Sequence, residues 1–254
     1  MPGEGGEVVK KLRPTSVTTS EKFGYMLETP PYPWLLNDLS DNAWGDADNQ
    51  QGSRSVESTG LTPQRLHAEL LAATVPVSSA YLLGALHDAT ISQMHRTVRY
   101  GQSDVGWLEG IAVLCTNLGQ KSWIYREGRE RNMWILETSS RWLTSASGLG
   151  STEEQLAYAR GYFDTEGGVP RDSTARFYIQ LVQKNRIDLA NLKAMLEGLG
   201  IVCGKLHNPS TRVDDALWRF YVAARSQRTF VESVGSWHPR KRALLERWIA
   251  RMKI

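Results

Sequence analysis

Two stretches of the chain share one pattern and decide how the rest can be arranged. The first is Tyr81-Leu-Leu-Gly-Ala-Leu-His-Asp-Ala-Thr90, and the second is Tyr158-Ala-Arg-Gly-Tyr-Phe-Asp-Thr-Glu-Gly167. Gly84 and Gly161 are 77 residues apart, each within an apolar stretch of helix length that ends in acidic residues. A glycine within a helix costs about 1 kcal/mol relative to alanine. Close contact between two helices would compensate for this cost, and relief of crowding against a strand is the alternative.

Acidic residues at the ends of two such helices predict a metal site. If the helices touch at their glycines, the acids of both helices arrive at the same end of the pair. We therefore expect one site built from two half-sites.

The residues that follow the two stretches indicate an internal repeat. Three pairs of matching positions occur 81, 81 and 84 residues apart: Gln102 and Gln183, Gly119 and Gly200, and Trp134 and Trp218. Each half therefore predicts a helix, strands, a second helix, further strands and a last helix. Loop insertions would explain the drift in spacing from 77 to 84.

Composition divides the 254 residues into three parts, and 41% of them are hydrophobic, which is enough to bury a core. Residues 1–60 are polar, hold 9 acidic and 5 basic side chains and show no periodic pattern, so we expect a poorly ordered or loop-rich extension. Thr62-Pro63 suits a helix start, and this helix should run to about Ala73. The first repeat should cover residues 61–150 and the second residues 151–254.

Charge and cysteine usage narrow the classes of function. Residues 201–254 hold 11 basic and 4 acidic side chains, although the whole chain has a net charge of only +3, and a basic region of this kind favours binding to phosphates. Cys115 and Cys203 are expected to be small buried residues, and the five histidines show no zinc spacing. We find no membrane span or signal peptide, and we expect an intracellular protein of the cytoplasm, nucleoid or an organelle.

Polar side chains follow the predicted strands at Ile91–Tyr100 and Arg176–Lys184, where they alternate loosely with aliphatic ones. In a sheet covered by helices on one face, the polar set would point outward together. Arginine and glutamine read guanine and adenine edges in the DNA major groove, and an ordinary solvated sheet face is the alternative. The candidate DNA-contacting residues are Arg96, Arg99, Arg176, Gln180, Lys184 and Arg219.

These motifs resemble a known family. Ala159-Arg-Gly-Tyr-Phe-Asp-Thr-Glu-Gly167 resembles the nine-residue LAGLIDADG motif of homing endonucleases, and Leu82-Leu-Gly-Ala-Leu-His-Asp-Ala-Thr90 resembles a divergent first copy. The resemblance covers about residues 62–250, in the order of a single-chain, two-motif member. It implies an α+β fold with two αββαββ repeats, paired central helices and two antiparallel sheets that form a DNA-binding saddle. It also implies an intron-encoded monomer that cleaves double-stranded DNA across the minor groove and leaves short 3′ overhangs.

The resemblance assigns the metal-binding acids. Glu166 matches this position directly, but counting from Gly84 places Ala89 there in the first half. Asp88 is the counterpart of Glu166 if one residue is missing near the helix end, which is the interpretation we favour. Otherwise the first half-site is degenerate, and the protein is a nickase or an inactive DNA binder. Carboxylates suit Mg²⁺, and the family implies two or three divalent ions shared by the half-sites.

Further residues of the site follow from the same resemblance. Gln102, Gln183 and Lys241 would position water and stabilise the transition state of phosphodiester hydrolysis. For Lys241 the alternatives are simple phosphate contacts by residues 240–242 and a role for the neighbouring His238. Asp164 and His87 are expected to be structural residues at the helix ends.

Two other classes of function remain open at this point. One is a non-cleaving DNA-binding protein on the same scaffold, and the other is an RNA-splicing maturase that would bind its host intron RNA. The sequence does not separate maturase from endonuclease. No intein splicing junction is visible, because the chain begins with Met1-Pro2 and lacks a terminal His-Asn, so we expect a free-standing protein, and an excised endonuclease domain is the alternative.

Overall fold

The computed structural model describes residues 63–128, 131–146, 148–172, 174–209, 212 and 214–252. The predicted N-terminal extension and the predicted cap at Thr62 lie outside these residues. The described helices are α1 (Pro63–Leu71), α2 (Val75–Ala85), α3 (Val105–Asn117), α4 (Thr152–Glu166), α5 (Arg186–Gly198), α6 (Gln227–Ser233) and α7 (Pro239–Met252). The described strands are β1 (Ala89–Ser92), β2 (Thr97–Gln102), β3 (Ser122–Arg126), β4 (Trp134–Ser139), β5 (Gly167–Gly168), β6 (Gln180–Gln183) and β7 (Trp218–Tyr221).

Matching helices of the two halves begin and end in the same way. Asp104 caps α3 by accepting a hydrogen bond from the backbone N–H of Gly106, and Asn185 caps α5 in the same manner. After α3 and α5 come Gly119 and Gly200, with φ of 67° and 80°, a left-handed conformation that favours glycine at a helix C-terminus. Local sequence therefore fixes the length of both helices. In contrast, α1 ends at Leu71, two residues before its predicted end.

Two antiparallel sheets are described, one in each half. The first has the strand order β1-β2-β4-β3 and the second has the order β5-β6-β7. In the second half, isolated bridges at Cys203 and His207 pair with the chain at β7, where the first half has β3. The register is also repeated, because Gln102 lies opposite Trp134 and Gln183 lies opposite Trp218.

The predicted strand boundaries need correction. The first hairpin begins at Ala89, two residues earlier than predicted, and β2 continues to Gln102. In the second half, only Gln180–Gln183 of the predicted 176–184 segment forms a strand. Its partners are the two-residue strand that directly follows α4 and the four-residue β7. Before Gln180, Ile179 still accepts a backbone hydrogen bond from the N–H of Val222, but no strand pairing is described for residues 176–178.

Helices α2 and α4 make the most extensive contact between elements of the described chain. A Cβ atom on Gly84 would overlap the Tyr158 carbonyl and lie 2.8 Å from the Tyr162 nitrogen. A Cβ atom on Gly161 would overlap the Tyr81 carbonyl. The two glycines therefore allow backbone contact between the helices, as the sequence predicted, and they do so reciprocally.

Buried apolar side chains surround this helix pair on both sides and form one continuous core that both halves share. Among the described residues, no single helix has the length and apolar character of a membrane span. Only one pair of consecutive helical segments in the described chain meets both criteria together, Gln64–Leu71 with Val75–Asp88, and the two segments are bent by 112° relative to each other. Most of α2 lies in the protein core.

Candidate active site and DNA-facing surfaces

The acids of the site lie where the central helices end. Helix α2 continues through a 3₁₀ turn, Leu86–Asp88, directly into β1, whereas α4 continues to Glu166 and then into β5. Asp88 and Glu166 are therefore each the last helical residue before the first strand of their half. Ala89, the other candidate in the first half, is buried and opens β1 opposite Tyr100.

The 3₁₀ turn compensates for the residue that the first half lacks. An α-helix advances about 1.5 Å and 100° per residue, whereas a 3₁₀ helix advances about 2.0 Å and 120°. Four residues from Gly84 to Asp88, three of them in the 3₁₀ turn, rise about 7.5 Å, as do five α-helical residues from Gly161 to Glu166. The rotations about the helix axis over these two segments differ by only about 40°. A first segment that was α-helical throughout would leave a difference of about 100°. Asp88 therefore occupies a position at the end of its helix that is close to the position of Glu166 in the second half.

Each acid receives a hydrogen bond from the matching glutamine. Gln102 Nε2 lies 3.5 Å from Asp88 Oδ2, and Gln183 Nε2 lies 3.3 Å from Glu166 Oε1. Solvent reaches the Asp88 carboxylate, yet the surrounding protein atoms raise its pKa to about 6. Burial, and then the negative charge of Asp88, raise the pKa of Glu166 to about 8. The Glu166 carboxylate is thus poorly solvated, and the negative charge of Asp88 repels it.

Such a pair fits a divalent cation. Within the described residues, no cluster of three or more His, Cys, Asp and Glu side chains has metal-site geometry. Two carboxylates suffice for Mg²⁺, however, because this ion commonly keeps several waters and takes further ligands from substrate phosphates. A cation would relieve the repulsion that raises the pKa of Glu166.

Lys241 holds the end of α4. Its Nζ donates to the carbonyl oxygens of Phe163, Asp164 and Gly167 at 2.7, 2.8 and 2.6 Å. The Phe163 carbonyl also accepts the backbone N–H of Gly167, whereas the Asp164 carbonyl belongs to the last turn, where a helix leaves its carbonyls without intrahelical partners. Burial lowers the pKa of Lys241 to about 8, against the attraction of nearby carboxylates that include Asp164 and Glu166. All three ammonium protons are thus engaged, and as placed the residue positions the segment that carries Glu166.

Asp164 is a buried acceptor for four donors, in agreement with its expected structural role. The Tyr81 hydroxyl donates to it at 2.6 Å, and the backbone N–H groups of Trp237 and His238 donate at 2.8 and 3.1 Å. The Ser236 hydroxyl also donates to it. Helix α2 and the loop before α7 are therefore joined through one carboxylate at the end of α4.

His87 is the counterpart of Asp164 in the first half, since the two residues are 77 positions apart. Its Nε2 lies 2.8 Å from the hydroxyl of Tyr158, which in turn matches Tyr81. The ring of His87 also packs against Tyr162, with centroids 4.3 Å apart. His87 thus has a structural contact at the helix end, as expected.

The outer face of the first sheet carries one predicted DNA-contacting residue at its centre and one at its edge. Arg99 on β2 donates to the Tyr125 hydroxyl at 2.8 Å and lies 3.8 Å from Glu137. Arg96 is exposed in the turn between β1 and β2 and has a φ of 52°. Sequence reasoning missed Tyr125 and Glu137, although the period of two in β3 and β4 places them on this face.

The outer face of the second sheet carries Gln180 and Arg219. Arg219 Nε donates to His207 Nε2 at 3.3 Å, and its guanidinium lies over the Tyr221 ring, 5.2 Å from the centroid. His207 and Tyr221 were not predicted. They lie on this face because of how the chain pairs around β7, and the sequence alone does not reveal that pairing.

The other two predicted DNA-contacting residues lie beyond the ends of β6. Lys184 is exposed directly after the strand, and its Nζ lies 3.5 Å from a carboxylate oxygen of Asp214. Arg176 is exposed in irregular chain before the strand, so its placement on a strand was wrong. Both side chains remain accessible at the rim of the second sheet.

Comparison with known proteins agrees with this architecture. A family model described as a LAGLIDADG-like domain matches residues 153–235. These residues belong to the LAGLIDADG family. They lie within the predicted second repeat, and the predicted resemblance is confirmed. No curated protein matches the chain.

Solved structures share the LAGLIDADG fold of both halves. Full-length DUF199/WhiA from Thermatoga maritima has a TM-score of 0.56 and 14% identity, and the match covers 75% of this chain and 66% of that one. The N-terminal LAGLIDADG domain of DUF199/WhiA has a TM-score of 0.53 and 13% identity, with 71% and 94% coverage. I-DmoI in complex with DNA and Ca has a TM-score of 0.52 and 22% identity, with 69% and 100% coverage. At these identities the likeness shows the fold, and it confirms the predicted fold class.

Proposed function

We propose that this protein is a site-specific DNA endonuclease of the homing type that hydrolyses phosphodiester bonds of double-stranded DNA with divalent metal. The meeting of Asp88 and Glu166 at the joined ends of two glycine-paired helices carries this proposal. Each acid accepts a hydrogen bond from a glutamine at the end of a strand in its own half. An arrangement with two similar half-sites suits a duplex, which presents two antiparallel strands.

Asp88 and Glu166 would hold the metal, and we propose Mg²⁺, with two or three ions shared by the half-sites. When bound, divalent ions would offset the charge that develops on the phosphate. Gln102 and Gln183 orient the two carboxylates and provide amide groups beside them. Lys241 fixes the helix end from which Glu166 projects.

The outer faces of the two sheets are the proposed DNA-binding surface. Arg99 and Tyr125 lie on the outer face of the first sheet, and that of the second carries Gln180, His207, Arg219 and Tyr221. The second half carries most of the excess positive charge. The structurally similar I-DmoI was solved with DNA, and we extend DNA binding to this chain. Because both half-sites lie on one chain, we propose that it binds as an intracellular monomer.

The decisive experiment uses the protein with a plasmid that carries the insertion site of its own reading frame. With Mg²⁺ we expect linear plasmid, and with a chelator we expect intact plasmid. Glu166→Gln and Asp88→Asn should each prevent double-strand cleavage while binding to the same DNA is retained. Full cleavage by Glu166→Gln would contradict the assignment of the site, and nicking by the wild type would point to an inactive first half-site.

A second candidate function is DNA binding without cleavage. It is favoured by the engagement of all three Lys241 protons with backbone carbonyls, which leaves this ammonium with no proton for a reacting phosphate. Specific binding to an intact plasmid, with and without Mg²⁺, would support this candidate. Tight binding to the host intron RNA together with faster splicing would instead support the maturase alternative.

A further inference from the structure

Three side chains form a cluster at the centre of the outer face of the first sheet. Arg99, Glu137 and Tyr125 lie on the adjacent strands β2, β4 and β3, and Arg99 is directly opposite Glu137 in the register. Arg99 Nη2 donates to the Tyr125 hydroxyl at 2.8 Å, and this hydroxyl donates to Glu137 Oε2 at 3.0 Å. Arg99 Nε lies 3.8 Å from the same carboxylate oxygen. The arginine is therefore held from two sides.

A carboxylate in this place opposes simple phosphate binding. Glu137 sits in the middle of a surface that would approach a polyanion, and it partly neutralises the arginine beside it. Glu127 Oε1 lies 3.9 Å from Arg99 Nη2 and adds a second negative charge. A phosphate-binding arginine would gain nothing from either acid, because both reduce the positive charge that attracts phosphate.

The cluster suits a contact that depends on direction. Guanidinium is planar, and its donors form a fixed fork that matches O6 and N7 of guanine in the major groove. The Arg99 side chain is 36% exposed and that of Glu137 is 18% exposed, so the arginine is the more accessible of the two. Burial and the bond to Glu137 raise the pKa of Tyr125, so its hydroxyl stays protonated and continues to donate to Glu137.

We propose that Glu137 is a specificity-determining positioning residue, which acts with Tyr125 to direct the Arg99 guanidinium at a guanine in one half of the DNA target. This inference rests on the proposed binding of duplex DNA. It does not require cleavage.

The second half differs at the matching positions. Gln180 and Tyr221 lie directly opposite each other there, as Arg99 and Glu137 do in the first half. Glutamine pairs with adenine edges and not with guanine. The two halves of the target therefore carry different base pairs at this position.

The test begins with selection of the preferred target of the wild-type protein from a library of randomised duplexes, followed by binding to every single-base-pair variant of that target. For the wild type, replacement of one guanine in the first half should weaken binding by about tenfold or more. In Glu137→Ala and Tyr125→Phe the effect at that base pair should fall to about twofold or less, with other positions unchanged. Glu137→Gln keeps an acceptor oxygen for Tyr125 and should retain most of the discrimination.

Glu127→Ala is the matched control, because it removes the same charge near Arg99 but no bond to Tyr125. Both alanine variants should bind random-sequence DNA more tightly to a similar extent, whereas only Glu137→Ala loses the preference for guanine. Thermal unfolding of each variant checks that its fold is kept. Equal base preferences in Glu137→Ala and the wild type would overturn this inference alone. Failure of the wild type to enrich any sequence would instead overturn the proposed function on which it rests.

Discussion

Gly161 lies against Tyr81 so closely that a Cβ atom at Gly161 would overlap the Tyr81 carbonyl oxygen and lie 3.0 Å from the Ala85 nitrogen. The atoms in the way belong to the backbone of α2, which cannot move aside as a flexible side chain would. Contact between α2 and α4 therefore depends on the absence of one carbon atom in each helix.

Gly161→Ala should destabilise the protein by about 3 kcal/mol or more, because the two helices must separate and their shared core must repack. Urea unfolding followed by circular dichroism measures this change. Gly198→Ala is the control, since Gly198 ends α5 with no atom near its Cβ position. Alanine there should leave stability unchanged or raise it by up to about 1 kcal/mol. Similar effects of the two substitutions would contradict the proposed helix contact.

Loss of the Lys241 ammonium should loosen the end of α4. Lys241→Met removes three charge-assisted hydrogen bonds to backbone carbonyls, and we expect destabilisation by about 2–3 kcal/mol. Hydrogen exchange should be faster at the last turn of α4. Arg240→Ala removes an exposed positive charge from the preceding position and should change neither quantity. Unaltered exchange in Lys241→Met would refute a positioning role.

The metal-free protein should lose stability as the pH rises. The pKa of Glu166 is about 8 in the folded state, whereas the ordinary pKa of a glutamate is 4.5, so folding favours the protonated form. The associated stability is fully present below about pH 4.5 and is lost as the pH approaches about 8. Thermal unfolding across this range with a chelator should show a falling Tm, and Mg²⁺ should restore it at the upper end.

Glu166→Gln should raise the Tm of the metal-free protein near pH 8 by a few degrees, because it removes a charge that burial disfavours. The same substitution should abolish the stabilisation by Mg²⁺. Glu153→Gln, at the exposed start of the same helix, serves as the control and should leave both properties unchanged. If the Glu166→Gln protein is less stable than the wild type at this pH, the ionised Glu166 carboxylate does not destabilise the folded state.

Asp164→Asn should destabilise the protein by about 2–4 kcal/mol. An amide presents an NH₂ group to some of the four donors that the carboxylate accepts, and a buried donor without an acceptor is costly. Addition of Tyr81→Phe should cause less than its separate effect, because both changes remove one interaction. Asp215→Asn, at an exposed position, provides the control. Strictly additive effects of the Tyr81 and Asp164 substitutions would contradict a direct bond.

The glycine-paired helices could be predicted because their signal is local and occurs twice. The position of Asp88 could only be stated as an alternative, since the 3₁₀ turn that carries it depends on how α2 meets β1. Arg176 was placed on a strand because its neighbours alternate, but a strand needs partners, and the two neighbouring strands, β5 and β7, pair only within Gln180–Gln183. Likewise, nothing local to Lys241 shows that its ammonium reaches residues more than seventy positions earlier.

The two tyrosine contacts between the central helices make the halves of the protein non-interchangeable. Tyr81 donates to an aspartate, whereas Tyr158 meets a histidine at the matching place. A chain assembled from two copies of the first half would place a histidine beside both tyrosines, and it would lack both Asp164 and the loop before α7 that this carboxylate joins to α2. Chimaeras built by exchanging one half with a relative should therefore exchange the tyrosine partners as a set, so that each hydroxyl keeps the group it evolved to meet.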